Sequence, residues 1–114
     1  MIVKPSDDEA LVLDRCLASA AEYVDKIFIT QAGAKPNARV SQICKAYNAT
    51  ESFYKWNDSF ADARNYNFSQ VPKDYDYIFW LDADDVLRGG DKLKPTIEAH
   101  RGVDVFSLWY LYAF

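Results

Sequence analysis

Short apolar runs alternate with amphipathic helical patterns along the chain, and this alternation limits the fold more than any other feature. Ile2 and Val3 are predicted to end a first strand. A helix is predicted to begin at Ser6, in a capping box with Glu9 three residues later. Apolar residues then recur at the i, i+3, i+4 and i+7 spacing of one helical face. They are Leu13, Cys16, Leu17, Ala20, Ala21 and Val24.

Two more units of strand and helix follow the first. The predicted elements are a strand from Lys26 to Thr30, a loop from Gln31 to Pro36, a helix capped by Asn37, a strand from Phe53 to Trp56, a turn at Asn57-Asp58-Ser59 and a helix from Phe60 to Ser69. The buried stripe of the Asn37-capped helix consists of Val40, Ile43, Cys44 and Tyr47. This order predicts an α/β fold with a mostly parallel central sheet flanked by helices. We expect one domain over residues 1–114.

The last third of the chain adds two apolar runs. Tyr77 to Leu81 is uninterrupted, which predicts a central strand that is covered on both faces. A short helix around Leu93 to Ala99 and a last strand from Val103 to Ala113 follow it. The last strand is rich in aromatic residues and needs cover. We therefore expect that the fold is truncated, and that a missing C-terminal region or another chain in an oligomer packs on residues 103–114.

Composition excludes several classes of function. The formal net charge of −4 leaves no basic surplus for nucleic acid. Cys16 and Cys44 fall on predicted apolar helix faces and are interpreted as reduced core residues, and His100 has no partner at zinc spacing. The sequence has neither a signal peptide pattern nor a transmembrane stretch. This predicts a cytoplasmic protein, and peripheral attachment to a membrane stays open.

Three aspartates directly follow the Tyr77 to Leu81 run, namely Asp82, Asp84 and Asp85. Ligands bind beyond the carboxyl ends of strands in open α/β sheets. Adjacent carboxylates repel one another unless a cation lies among them, and hard Mg²⁺ or Mn²⁺ prefers carboxylate, water and phosphate oxygens. The run therefore predicts a metal and diphosphate site. The structural alternative is that these aspartates only cap a turn.

Two further interpretations compete with the metal site. The run Asp82-Ala83-Asp84-Asp85-Val86-Leu87 also fits the D-x-D-x-[TV]-[LVI] nucleophile motif of haloacid-dehalogenase-like phosphatases. There the first aspartate would attack phosphorus and the second would act as acid and base. That motif normally follows the first strand, whereas three predicted strands precede it here. The other interpretation is a non-catalytic binding or interaction module.

Four stretches, in order along the chain, carry a wider resemblance. They are residues 17–19, 23–29, 57–65 and 75–85, and the third contains Phe60-Ala61-Asp62-Ala63-Arg64-Asn65. Together they resemble the N-terminal nucleotide-sugar-binding portion of family 2 glycosyltransferases, whose pattern includes F-x-x-A-R-N and a D-x-D motif after a strand. The resemblance implies a Rossmann-like GT-A fold.

It also implies a nucleotide-diphosphate sugar as donor, with a UDP-sugar favoured, and an unknown saccharide, lipid or protein as acceptor. Asp82 would approach the ribose or the sugar, and Asp84 or Asp85 would hold Mg²⁺ or Mn²⁺ between the two phosphates. Lys4 and Pro5 would lie near the nucleotide base.

Arg64 would position the donor or the loop that carries the aspartates. The alternative is an exposed helix arginine paired with Asp62 or Asp58.

The sequence departs from the family pattern in two places. After the second strand the family has an aspartate that recognises the base, in a D-x-G-S-x-D-x-T-like segment, and only Gly33 of that segment is present here. Gln31 offers a donor and an acceptor that suit a uracil edge. The family's carboxylate base lies well downstream of the D-x-D motif, so no catalytic residue is assigned. We expect the chain to bind a donor but not to transfer its sugar efficiently.

Overall fold

A parallel three-stranded sheet forms the centre of the protein in the computed structural model, which describes residues 1–106. The strands lie in the order β1-β2-β3. The elements are β1 (Ile2–Val3), α1 (Asp7–Ala20), β2 (Phe28–Gly33), α2 (Ala38–Ala46), β3 (Thr50–Lys55), α3 (Phe60–Ser69) and α4 (Leu93–Ala99). Short 3-10 turns at Ala21–Tyr23 and Gly90–Lys92 follow α1 and precede α4. The predicted α/β class with parallel strands flanked by helices is confirmed.

The ladder between β2 and β3 sets the length of the second strand. It runs from Phe28 opposite Thr50 to Gly33 opposite Lys55, while β1 pairs with β2 only at Ile2 and Val3. The second strand therefore begins and ends later than predicted, and the predicted loop from Gln31 to Pro36 is wrong for its first three residues. Pairing with β3 keeps those residues extended, which a local pattern does not show.

The helices begin where the capping residues predict. The Ser6 side chain accepts a hydrogen bond from the Glu9 backbone at 3.2 Å, and the Asn37 side chain accepts from the backbones of Arg39 and Val40. Ser59 caps α3 in the same way. Each bond satisfies a backbone N–H that has no partner within its helix.

One buried apolar cluster joins the sheet to α1 and α2. Its buried members are Val3, Ala10, Leu13, Leu17, Ile29, Val40, Cys44 and Ala83. Both cysteines are buried and free, as predicted. The predicted apolar faces of α1 and α2 therefore pack on the sheet, which confirms the helical periodicity. Within residues 1–106, no helix is long and apolar enough to cross a membrane.

The predicted central strand from Tyr77 to Leu81 is wrong. These residues form neither helix nor strand, and Trp80 is 52% exposed. Their aromatic rings instead make isolated contacts: Trp80 lies 5.9 Å from Phe68 and Tyr77 lies 6.0 Å from Phe106, between ring centroids. An apolar run indicates a tendency to be buried, but a central strand also needs a paired neighbour and cover on both faces.

The end of the chain was predicted only in part. The short helix is confirmed as α4, whose residues 93–99 match the prediction. Residues 103–106 of the predicted last strand are irregular, so the strand is wrong there. The rest of that prediction lies outside the described residues.

Candidate functional site

The three aspartates lie in one tight turn, which we call the acidic turn (residues 82–85). The backbone N–H of Asp85 donates to the Asp82 carbonyl at 3.0 Å, and the Asp82 N–H donates to the Asp85 carboxylate at 3.0 Å. Ala83, in the middle of the turn, is 3% exposed and belongs to the core cluster. Burial of this one methyl group anchors a turn whose neighbouring carboxylates stay accessible.

The carboxylates of the acidic turn converge. Asp82, Asp84 and Asp85 each offer an oxygen, and these oxygens all lie within 4.8 Å of one another. Around an octahedral Mg²⁺, oxygen ligands lie about 3 Å apart when adjacent and about 4 Å apart when opposite. The donor set is also all oxygen, so the residues fit a hard divalent cation.

Three side chains of helix α1 contact the acidic turn and the residue Leu87 that follows it. Arg15 donates from its guanidinium to the Asp84 carbonyl at 3.2 Å, and the Cys16 thiol donates to the Asp82 carbonyl at 3.6 Å. Ser19 accepts a hydrogen bond from the backbone N–H of Leu87 at 2.9 Å. Ser19 follows Cys16 by three positions and Arg15 by four, so it lies about one helical turn from each of them.

The electrostatics of α1 reflect the nearby carboxylates. Burial, together with the negative charges of Asp85 and Asp84, raises the pKa of the Cys16 thiol to about 11. Burial and then the charge of Asp84 raise the pKa of Glu9, against a smaller opposing effect of Lys4. The structure thus brings the first turns of α1, at Glu9 and Cys16, into electrostatic range of the acidic turn, and Lys4 into range of Glu9.

Pro5 lies where the carboxyl ends of β1 and β2 meet. A Cβ atom added to Gly33 would overlap Pro5 Cγ and lie 2.8 Å from Pro5 Cδ. Gly33 is therefore required for the close approach of the two strand ends. Pro5 and Lys4 lie at this edge together, as their adjacent positions require.

Gln31 does not lie at the accessible edge. It is 0% exposed, and its side-chain amide donates to the Glu51 carboxylate at 2.5 Å and to the Ser41 hydroxyl at 3.1 Å. Its side-chain carbonyl accepts from the Asn37 backbone N–H at 2.8 Å. All three partners belong to the protein itself. The structure therefore places Gln31 in support of the start of α2, away from the acidic turn.

Arg64 lies over the segment that leads into the acidic turn. Its guanidinium carbon is 5.4 Å from the ring centroid of Trp80, two residues before Asp82. The alternative partners are engaged elsewhere, since Asp58 accepts from the Trp56 indole and Asp62 accepts from the Asn57 amide. The position suits support of the loop, and the functional role of Arg64 stays a prediction.

Sequence reasoning missed the contacts that hold the acidic turn. Arg15 was not singled out, and Ser19 was noted only as part of the family-like stretch 17–19, because they lie 69 and 68 residues from their partners. Cys16 was correctly predicted to be buried, but its bond to the Asp82 carbonyl was not predicted. Only the helical spacing of these residues on α1 could have suggested a shared contact.

Comparison with known proteins supplies the family. The family model described as glycosyl transferase family 2 matches residues 2–110. A TPR repeat-containing protein of Synechococcus elongatus is 36% identical over 100 residues, an alignment that covers 86% of this chain and 23% of that protein. The chain thus spans less than a quarter of the length of this relative. No solved structure matches this chain. The parallel sheet with flanking helices is consistent with a Rossmann-like GT-A fold, and the chain belongs to glycosyl transferase family 2.

Proposed function

We propose that this chain is the donor-binding part of a glycosyltransferase that takes a nucleotide-diphosphate sugar in a metal-dependent manner. Family membership supports glycosyl transfer as the general activity. The observation that carries the finer proposal is the convergence of three aspartate oxygens within 4.8 Å in a turn anchored to the core. A diphosphate needs such a site because its own charge must be neutralised locally in a protein of net charge −4.

The proposed roles of the individual residues are those that the family resemblance implies. Asp84 and Asp85 would hold Mg²⁺ or Mn²⁺, and Asp82 would approach the ribose or the sugar. The bound ion would act as a Lewis acid that stabilises charge on the departing diphosphate. Lys4 is exposed at the end of β1, next to Pro5, and its charge acts on Glu9, which also feels the charge of Asp84.

The nucleotide base would lie over Lys4 and Pro5, at the edge where β1 and β2 end. Gln31 is not retained as a base contact, because its amide already bonds to Glu51, Ser41 and Asn37. A UDP-sugar remains the favoured donor by resemblance. Arg64 would support the loop through Trp80 rather than contact the donor.

Calorimetry with UDP and GDP, each with and without Mn²⁺, tests the proposal. We expect binding that requires Mn²⁺ and is abolished in Asp84→Asn. The matched control is Asp74→Asn, which removes one exposed carboxylate from outside the acidic turn and should leave binding unchanged. Absence of binding of either nucleotide with Mn²⁺ would overturn the donor site and favour a non-catalytic interaction module.

A phosphatase assay on the unsubstituted protein and on Asp82→Asn tests the phosphatase alternative. Hydrolysis of a generic aryl phosphate that is lost in Asp82→Asn would assign Asp82 as a nucleophile. We expect no such hydrolysis, because three strands precede the motif in the structure. A phosphatase of that class normally carries this motif directly after its first strand.

A further inference from the structure

Three side chains of α1, those of Arg15, Cys16 and Ser19, which we call the loop anchor, hold the acidic turn and the chain directly after it. We propose that the loop anchor positions the acidic turn for binding of the divalent cation. The inference rests on the proposed function for the identity of the ligand. Its structural basis, a set of hydrogen bonds between α1 and residues 82–87, is independent of that function.

Ser19 is the best-defined member of the loop anchor. Its hydroxyl donates to the Cys16 carbonyl of its own helix at 2.6 Å, which leaves its lone pairs for the Leu87 N–H at 2.9 Å. Leu87 is half-buried, so removal of the hydroxyl would leave its N–H without this partner in a partly dry site. Ser19 therefore fixes the chain directly after the acidic turn.

Arg15 and Cys16 fix the turn itself. They donate to the backbone carbonyls of Asp84 and Asp82, and Ala83 between them is packed in the core. Contacts thus fall on three successive residues of the turn and again at Leu87. These bonds use backbone carbonyls, so the carboxylates of the same residues are not consumed by them.

Positioning by α1 matters because no strand holds the acidic turn from the N-terminal side. Residues 77–81 are irregular, so hydrogen bonds of a sheet do not fix the approach to Asp82. A ligand that binds only the ordered turn has its affinity reduced in proportion to the fraction of molecules in which the turn is ordered. Weakening the loop anchor lowers that fraction without removing any carboxylate.

The test compares Ser19→Ala with Ser19→Thr, which keeps the hydroxyl. Ser52→Ala is the control, since it removes a part-buried hydroxyl that bonds to Thr30 at 2.8 Å, away from the acidic turn. Direct titration with Mn²⁺ gives one readout, and amide hydrogen exchange of residues 82–87 in the metal-free protein gives the other. Loss of one hydrogen bond weakens the ordering equilibrium of the turn about tenfold, so Mn²⁺ binding in Ser19→Ala should weaken by up to about tenfold. Exchange at Leu87 should be faster by a similar factor.

The two readouts separate failure of the anchor from failure of the metal site. Unchanged exchange in Ser19→Ala would overturn the loop anchor, and so would an equal loss of Mn²⁺ binding in Ser52→Ala. If the unsubstituted protein binds Mn²⁺ neither alone nor together with UDP, but Ser19→Ala still exchanges faster, the anchor holds the turn and the proposed function is wrong. Recovery of both readouts in Ser19→Thr would support the hydroxyl as the group responsible.

Discussion

Replacement of Gln31 by leucine should destabilise the fold while leaving nucleotide affinity unchanged. The leucine has a similar volume, so the change removes hydrogen bonds rather than creating a large cavity. The Asn37 N–H loses its 2.8 Å acceptor, and Glu51 loses a 2.5 Å donor. Ser41 and Glu51 still bond to each other at 2.6 Å, which limits the loss on that side.

The expected loss in the free energy of unfolding follows from the hydrogen bonds that Gln31 makes with these partners. An unpaired buried N–H costs about 1–3 kcal/mol, and a hydrogen bond to a charged group contributes about 1.5–3 kcal/mol. Because Glu51 is largely exposed and regains water, we expect a total loss of about 2–3 kcal/mol in the free energy of unfolding. That is a large share of the stability of a domain of this size.

Urea unfolding followed by tryptophan fluorescence measures the change, with Gln42→Leu on the exposed side of α2 as the control. Calorimetry with UDP and Mn²⁺ on the folded proteins gives the affinity. A loss of less than about 0.5 kcal/mol, the range of ordinary surface substitutions, together with weaker UDP binding would refute the structural role. It would restore Gln31 as a contact to the base. If Gln31→Leu does not fold, Glu51→Gln tests the same network more mildly.

Two other predictions use residues near the site. Gly33→Ala should destabilise the protein by about 1–3 kcal/mol, because its Cβ would overlap the Pro5 ring, and Ala32→Gly on the same strand is the comparison in urea unfolding. An unchanged midpoint would contradict the close approach of β1 and β2. Cys16 and Cys44, whose pKa values burial raises to about 11 from 9.0, should react with iodoacetamide about a hundredfold more slowly at pH 8 than in the unfolded chain. Since the unfolded thiols lose their protons first, stability should be full below pH 9 and fall as pH rises from 9 to 11. Fast native alkylation would contradict their burial.

Local signals in the sequence were sufficient for most of the fold. Ser6, Asn37 and Ser59 cap helices because their side chains reach backbone N–H groups only two or three residues away. The apolar stripe of α1 was predicted for the same reason, since its residues face the same side of one helix. Elements whose stability depends on neighbours in sequence are therefore the ones that sequence patterns identify.

The errors occur where the deciding partner is distant. The apolar run from Tyr77 to Leu81 has the composition of a buried strand, but composition does not supply a strand to pair with it. Gln31 was placed in a loop because Gly33 and Pro36 follow closely, whereas the β3 ladder and the Glu51 carboxylate keep it buried and extended. In both cases a long-range contact outweighed the local pattern.

The same difference between local signals and distant contacts applies to the candidate site. The acidic turn could be predicted because its three carboxylates lie within four residues of the sequence. The residues that hold it could not be predicted, because Ser19 and Leu87 are 68 residues apart. Sequence therefore located the groups that would bind a ligand, and only the structure shows what keeps them in place.

The position of Ala83 links the candidate site to the stability of the whole fold. The residue lies in the middle of the acidic turn and also in the cluster that joins α1 and α2 to the sheet. Unfolding of that cluster must release the turn and separate its carboxylates, so a cation that binds them binds only the folded state. When such a ligand is in excess, the free energy of unfolding rises with the logarithm of the ratio of its concentration to its dissociation constant. For the proposed cation, the affinity and the folding free energy would therefore depend on the same packing of Ala83 in the core.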